Sequence, residues 1–292
     1  MTAQILDGRA VSATLLKEVK DDVAEFVHEH GRVPVLATVL VGDDPASHTY
    51  VRMKANRSAQ VGMRSRRIEL DAGITTETLV RQIRDLSRDP EVDGILLQHP
   101  VPAHIDERAA FEAIDPAKDV DGVTRTSFAT TAFGEGGFNS ATPGGIMALL
   151  DAYDIPLKGK HAVVVGRSAI LGRPVGMLLL TQDATVTYCH SHTVGLAERV
   201  AEADVVVAAA GRPGLIRGEW IKPGAVVVDA GYADNSGDVE YEAAAARASY
   251  ITPVPGGVGP MTIAILLTQT VRAAWERETG WRRSRVPLKG WT

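Results

Sequence analysis

Apolar residues return every fourth position at Val11, Leu15, Val19, Val23 and Val27, which predicts a helix from Gly8 to His30, stopped by Gly31 and Pro34. The unbroken run VLATVLVG (35–42) predicts a buried strand, DDP a turn, and Pro45 the start of a second helix that reaches Gly62. RSRRIELD (64–71) predicts a further strand, Leu79, Ile83 and Leu86 a helix, and GILLQHP (94–100) another buried strand. Strand and helix alternate. A mostly parallel sheet is therefore expected, with functional loops at the C-terminal ends of its strands, where the second helix begins and Gln98 lies.

The pattern fades in TRTSFATTAFGEGGFNSATPGG (124–145), which is rich in Gly, Ser and Thr and has little apolar periodicity, so the first linker is placed there. After a helix at about 143–154, HAVVVG, ATVTYC, DVVVAAAG and GAVVVDAG predict a second strand series, with helices from about Leu171 and near 194–202. The last helix, about 261–278, follows the Pro/Gly-dense TPVPGGVGP, and the tail WRRSRVPLKGWT (281–292) reads as irregular. No internal repeat of fixed period occurs. A chain of 292 residues with this alternation is expected to be α/β with two domains.

Thirty-one basic and thirty-six acidic residues give a net charge of −5. With no long run of either sign, a nucleic-acid surface or a polybasic membrane anchor is not expected, and a small molecule is the natural partner. Cys189 is the single cysteine, so an internal disulfide is excluded. MTAQILDGRA lacks the charged-then-apolar pattern of a signal peptide, and a cytoplasmic location is expected. The longest apolar runs, such as VVVAAAG, are of strand length, too short to span a membrane.

Candidate chemistry comes from two regions. VVVGRSAILGRPVG follows a strand and opens a helix, with Gly166 and Gly172 where a backbone turns tightly and a pyrophosphate could approach the helix N-terminus. The spacing is G-x-S-x-x-x-G, not G-x-G-x-x-G, so a purely structural strand-to-helix turn competes with the nucleotide reading. The next strand ends in Cys189, His190 and Ser191 without the acid that binds a ribose 2′-hydroxyl. Arg167 offers a cation for a 2′-phosphate instead, which favours NADP over NAD. No CxxC or HExxH spacing accompanies Cys189 and His190, so no metal is expected.

In the first half, Ser47, Tyr50 and Lys54 share one helical face. Gln98 ends a buried strand, and Asp121 lies in KDVDG. A lone helical lysine is by default solvated. An amine beside an amide carbonyl, however, can be oriented and have its pKa lowered, and a loop carboxylate can accept two hydrogen bonds from an amino-heterocycle. Spacing alone does not say whether the three residues meet. Taken singly, Asp119 and Asp121 read as an Asp-rich turn before Gly122, and His99 as a strand-end residue facing solvent.

VGDDPASHTYVRMK, LLQHPVP, PAKDVDG, TPGGIMALL, VVVGRSAILGRPVGMLLL, ADVVVAAAGRPG and TPVPGGVGPMT occur in the order seen in the methylenetetrahydrofolate dehydrogenase/cyclohydrolase family, which the chain resembles from about residue 5 to 278. The resemblance implies a folate-binding catalytic αβα domain at 1–123, on which a C-terminal helix at about 261–280 packs back, and a Rossmann-like NADP-binding domain at 142–260. It implies oxidation of 5,10-methylenetetrahydrofolate with NADP, then hydrolysis of the methenyl product to 10-formyltetrahydrofolate. By similarity, Lys54, Gln98, Asp121 and Tyr50 would be catalytic: Tyr50 stacking on the aminobenzoyl ring, Lys54 acting at the one-carbon bridge, Gln98 tuning it, and Asp121 holding the pterin. Ser47, Pro253, Pro255, Gly256 and Gly257 would complete the folate site. Gly166, Arg167, Ser168, Gly172, Ser191 and Thr193 would hold the cofactor, and a homodimer would be usual.

Five features depart from the family pattern: His99 for an apolar residue, Ala141 for a cysteine, Ala169 for a common asparagine, DAGY for DVGI, and a segment 124–137 that lacks the usual N-x-G after DG. They keep three alternatives open. One is a dehydrogenase without cyclohydrolase activity, and another a silent folate- or nucleotide-binding paralogue. The third, an unrelated hydroxy-acid dehydrogenase, would need a His-carboxylate pair that the sequence does not offer.

Overall fold

The structure is a computed structural model in which residues 2–233 and 236–280 are described; the tail expected to be irregular lies outside them. In chain order the elements are β1 (Gln4–Ile5), α1 (Gly8–His30), β2 (Val35–Val41), α2 (Pro45–Gln60), β3 (Arg64–Leu70), α3 (Thr76–Arg88), β4 (Gly94–Leu97), α4 (Glu107–Phe111), α5 (Arg125–Phe133) and α6 (Ala141–Ala152). They continue as β5 (His161–Val165), α7 (Gly172–Thr181), β6 (Thr185–Cys189), α8 (Leu196–Ala201), β7 (Val205–Ala208), β8 (Val226–Asp229), α9 (Tyr241–Ala245), β9 (Tyr250–Ile251) and α10 (Val258–Thr279). Two compact units result: 14–129 with 266–280, and 2–13 with 130–233 and 236–265.

The first unit holds a three-stranded parallel sheet of order β3-β2-β4. All seven residues of the central β2 are buried, as its unbroken apolar run requires. Edge strand β3 instead carries exposed arginines, with Arg66 paired to Asp89 at 2.6 Å, a charged edge that discourages pairing with other chains. The C-terminal helix docks here: the Trp275 ring meets Phe26 of α1 edge-on at 5.2 Å, and Gln269 Nε2 donates to the Val120 carbonyl at 2.8 Å. On α1 the buried stripe runs Leu15, Val19, Val23, Phe26. A helix turns every 3.6 residues, so a strict four-residue spacing drifts off the core, and Phe26 takes the place expected of Val27.

The second unit holds a six-stranded sheet of order β1-β9-β8-β7-β5-β6, every pairing parallel. Its core includes Val163, Val165, Val206, Val227, Ile216 and Ile251. The chain runs from β5 to β6 on one side and then to β7 on the other, so a topological switch point lies between β5 and β7, and ligands of such sheets sit outside the C-terminal strand ends there.

Two features differ from the sequence reading. The first domain was expected to start at residue 1, yet Gln4 and Ile5 pair with Tyr250 and Ile251 in the six-stranded sheet; a two-residue strand is too short to leave a period. Segment 124–145, within which the first linker was expected, contains α5, and α6 starts at Ala141, two residues before the helix expected from about 143. Capping, not apolar periodicity, starts α5: Thr124 Oγ1 accepts from Ser127 N at 3.1 Å, while Asp119 Oδ2 accepts from Thr124 N at 2.9 Å and Ser127 Oγ at 2.6 Å.

Phe26 packs against Trp275 and His30, and the Arg32 guanidinium lies 4.8 Å from its ring. Phe26→Ala should therefore destabilise the 14–129 unit by about 3–5 kcal/mol, read as a shift of its urea midpoint, and a shift equivalent to less than ~1 kcal/mol would show that the cluster does not anchor α10.

Candidate active site

Helix α2 begins at a capped turn: Asp44 Oδ2 accepts from Ser47 N at 2.7 Å, and Pro45 occupies the first turn. Ten residues past that cap, α2 brings Lys54 to the end of β4. Its Nζ donates to Gln98 Oε1 at 3.0 Å, and Gln98 Nε2 donates to the His99 carbonyl at 2.8 Å. The carbonyl can only accept, so the amide is locked with its NH2 on the main chain and its oxygen on the lysine. Gln98 is buried, with 8 % of its surface exposed.

Burial lowers the Lys54 pKa, and the Asp121 charge opposes that shift. Burial pushes Asp121 up to about 7; Lys54 pulls it back and Asp119 pushes it further. Among the described residues none donates a hydrogen bond to the Asp121 carboxyl. Its neighbour Asp119, by contrast, is saturated by Val123 N, Thr124 N and Ser127 Oγ. The loop thus spends one carboxylate on its own backbone and leaves the other open to a ligand. His99 lies T-shaped to Phe111 at 6.3 Å, and its pKa is lowered, chiefly by burial. It does not simply face solvent, as a strand-end residue would.

Thus Lys54, Gln98 and Asp121, far apart in sequence, interact in one cluster. Ser47 and Tyr50 lie on the same helix, Ser47 buried and Tyr50 36 % exposed. Pro253, Pro255, Gly256 and Gly257 belong to the other unit, in the turn before α10, where Gly257 N donates to the Pro253 carbonyl at 2.9 Å.

At the switch point of the six-stranded sheet, Gly166 follows β5 at φ 142°, and a Cβ there would run into the Ala209 carbonyl. A Cβ on Gly172 would strike the Gly166 backbone. Both positions therefore require glycine. Ser168 Oγ accepts from Leu171 N and Gly172 N, both at 3.2 Å, so its hydroxyl also caps the entry to α7. Arg167 is exposed beside this turn. Past β6, Thr193 Oγ1 accepts from His190 N at 2.8 Å and closes the turn that presents the exposed Ser191. The tight glycine turn, the start of a ten-residue helix and an adjacent guanidinium without an ion-pair partner among the described residues fit a phosphorylated dinucleotide. Among the described residues no group of three or more His, Cys, Asp or Glu could hold a metal ion.

Sequence reasoning missed Asp119 and Asp238 as organisers of these loops. An aspartate within three residues of a glycine, as in KDVDG and SGDVE, was the available signal, but it is shared with any turn.

Residues 6–121 match the family model described as the tetrahydrofolate dehydrogenase/cyclohydrolase catalytic domain, and residues 140–278 match that family's NAD(P)-binding domain. Bifunctional protein FolD 1 of Salinispora arenicola is 69 % identical over 275 residues, which cover 94 % of this chain and 99 % of that one. Among solved structures, the bifunctional FolD methylenetetrahydrofolate dehydrogenase/cyclohydrolase of Campylobacter jejuni aligns with TM-score 0.91 at 43 % identity, covering 94 % of this chain and 99 % of its own. The Trypanosoma brucei dehydrogenase-cyclohydrolase, solved with NADP and an inhibitor, aligns with TM-score 0.91 at 40 % identity, covering 95 % and 99 %.

With its pKa raised from 3.8 to about 7, Asp121 holds a proton in the folded protein that the unfolded chain releases. Its favourable contribution is complete below the unfolded value and is lost as pH rises through the folded one. Asp121→Asn should therefore gain urea stability relative to the native protein between about pH 5 and about pH 8. An unchanged difference across that range would show that the carboxyl is not buried in the charged cluster.

Proposed function

The chain belongs to the tetrahydrofolate dehydrogenase/cyclohydrolase family, and from that premise we propose that it oxidises 5,10-methylenetetrahydrofolate with NADP and hydrolyses the methenyl product to 10-formyltetrahydrofolate. The Lys54–Gln98 contact at 3.0 Å beside the open carboxyl of Asp121 carries the reading. Bound NADP supplies the hydride acceptor. Asp121 holds the amino edge of the pterin, and Tyr50, exposed on α2, offers its ring to the aminobenzoyl group. Oxidation needs no strong base, so in that step these residues chiefly orient the substrate. In hydrolysis, water adds to the methenyl carbon, the bond from that carbon to N5 breaks with N5 taking up one proton while N10 keeps the formyl group, and the other proton of the water must be carried off. Burial favours the neutral amine of Lys54, which takes that proton while Gln98 holds Nζ in place.

Two departures from the family pattern leave this machinery whole. Gln98 is anchored by the main-chain carbonyl of residue 99, which any side chain there supplies. Ala141 is buried as the first residue of α6. That supports both activities over the dehydrogenase alone. The silent paralogue is disfavoured, because it would have no use for a buried amine kept beside a buried amide. NADP is preferred to NAD because Arg167 is exposed at the glycine turn and the Trypanosoma brucei relative was solved with NADP. Pro253, Pro255, Gly256 and Gly257 are carried over as folate-contacting residues, and a homodimer as the assembly. No described helix is long and apolar enough to cross a membrane, in keeping with a cytoplasmic enzyme.

A coupled assay of both steps with NADP and NAD tests the reading. The native protein should form and then consume methenyltetrahydrofolate, whereas Lys54→Met should lose hydrolysis by at least about 100-fold more than hydride transfer. Equal loss of both would make the lysine a binding group, and no turnover by the native protein would sink the proposal. In the same assay Arg167→Ala should raise KM for NADP about tenfold or more while barely moving that for NAD, as loss of a charge-assisted phosphate contact predicts. An equal rise for both cofactors would remove Arg167 from the 2′-phosphate.

A further inference from the structure

The loop that leaves β7 at the switch point is tied down by a single buried side chain. Asp238 Oδ2 accepts from Ala210 N at 2.6 Å and Gly211 N at 2.9 Å, and Oδ1 accepts from Arg212 N at 2.6 Å. Asp238 has 1 % of its surface exposed. Its own backbone is fixed from the end of β8: Asp229 Oδ1 accepts from Asp238 N and from Gly231 N, both at 3.0 Å, and Asp229 Oδ2 accepts from Val239 N at 2.9 Å. Two glycines make the interlock possible, since a Cβ on Gly231 would run into the Asp238 carboxyl and one on Gly237 into the Asp229 carboxyl. On its other side the loop abuts the nucleotide turn, where the Ala209 carbonyl occupies the space a Cβ on Gly166 would need.

We propose that Asp238 is a positioning residue for the dinucleotide: by taking three consecutive N–H groups of the 210–212 loop, it sets that loop as a fixed wall of the crevice before the cofactor arrives. The inference rests on reading the crevice between β5 and β7 as the NADP site. Three N–H groups turned to one carboxylate leave the carbonyls of the same peptides turned away from it, because a trans peptide points its two polar groups in opposite directions. Among the described residues no donor reaches the carbonyls of Ala209, Ala210 or Gly211. A wall of unpaired acceptors, held rigid, saves a ligand the cost of ordering the loop on binding.

The test uses Asp238→Asn in the full chain. An asparagine keeps the volume, but it would set an NH2 against N–H donors and strip the loop of one acceptor oxygen. Equilibrium titration should then show NADP bound about tenfold or more weakly, while hydrolysis of added 5,10-methenyltetrahydrofolate, which needs no hydride acceptor, stays within about twofold. Unchanged NADP affinity would overturn the proposal, and so would equal loss of both activities, which marks a general folding role. Should the variant fail to fold, hydrogen exchange on the native protein decides. Amides 210–212 protected without NADP bear the proposal out, and fast exchange that slows only when NADP is added overturns it. A native protein that binds no NADP would instead strike at the reading of the crevice, a result separable from any behaviour of Asp238.

Discussion

A parallel strand that leaves its sheet strands the backbone of the following loop without a ladder partner, and an unpaired buried N–H costs about 1–3 kcal/mol. Buried aspartates meet that demand throughout this chain. Asp93 accepts from Val35 N at the entry of β2 while pairing two-pronged with Arg32 at 2.9 and 3.0 Å and with Arg277 of α10 at 3.1 Å. Asp119 caps the loop into α5, and Asp229 and Asp238 interlock the loops after β7 and β8. A carboxylate suits the task because its two oxygens offer about four acceptor positions, and bonds to a charged acceptor are the stronger kind. Both α/β units depend on these few side chains for the shape of their functional edges.

Reactivity appears where that satisfaction is withheld. Asp119 and Asp121 stand two residues apart in one loop, yet only the first is given backbone donors. Asp121 is left with burial and a lysine, and its pKa rises to about 7. Asp229 shows the intermediate case: burial, the largest cause, and the nearby Asp238 push it up to about 6, against three backbone hydrogen bonds that hold it down. Lys54 follows the same logic with the opposite charge. Its one neutral partner orients the amine without compensating the charge lost from water, so burial dominates and the neutral form becomes accessible. A structure that satisfied Asp121 and Lys54 fully would be more stable and would leave neither an open carboxyl nor an accessible neutral amine.

Sequence periodicity reveals what burial of whole faces dictates and stays silent where single polar contacts decide. The apolar run of β2 and the stripe Leu79, Ile83, Leu86 of α3 were legible because each buries a continuous surface. Helix α5 was not, because its sequence RTSFATTAF carries no stripe and its start is fixed by Asp119, Thr124 and Ser127. Strands β1 and β9, two residues each, are defined only by each other and by β8. At the site, the helical face of Ser47, Tyr50 and Lys54 could be read directly, but its meeting with Gln98 and Asp121 depends on β4 and the 119–124 loop returning to α2. No local pattern encodes that return; ordered family motifs did. Asp238 escaped both routes, since its partners are backbone N–H groups, which have no sequence signature.

The distinction between side-chain and main-chain duties also explains where the chain can differ from its family without losing chemistry. Position 99 supplies a carbonyl to Gln98, so the orientation of the amide, and with it the lysine, survives replacement of an apolar residue by histidine. The imidazole lies edge-on to Phe111, and burial, the largest cause, lowers its pKa and so favours the neutral form. Gly166 and Gly172 permit no such exchange, because backbone atoms already fill the volume a side chain would need. Variation is tolerated where the fold asks only for a peptide group and refused where it asks for the absence of a side chain. A histidine at position 99 therefore changes the surroundings of the cluster while the Lys54–Gln98 hydrogen bond stays in place.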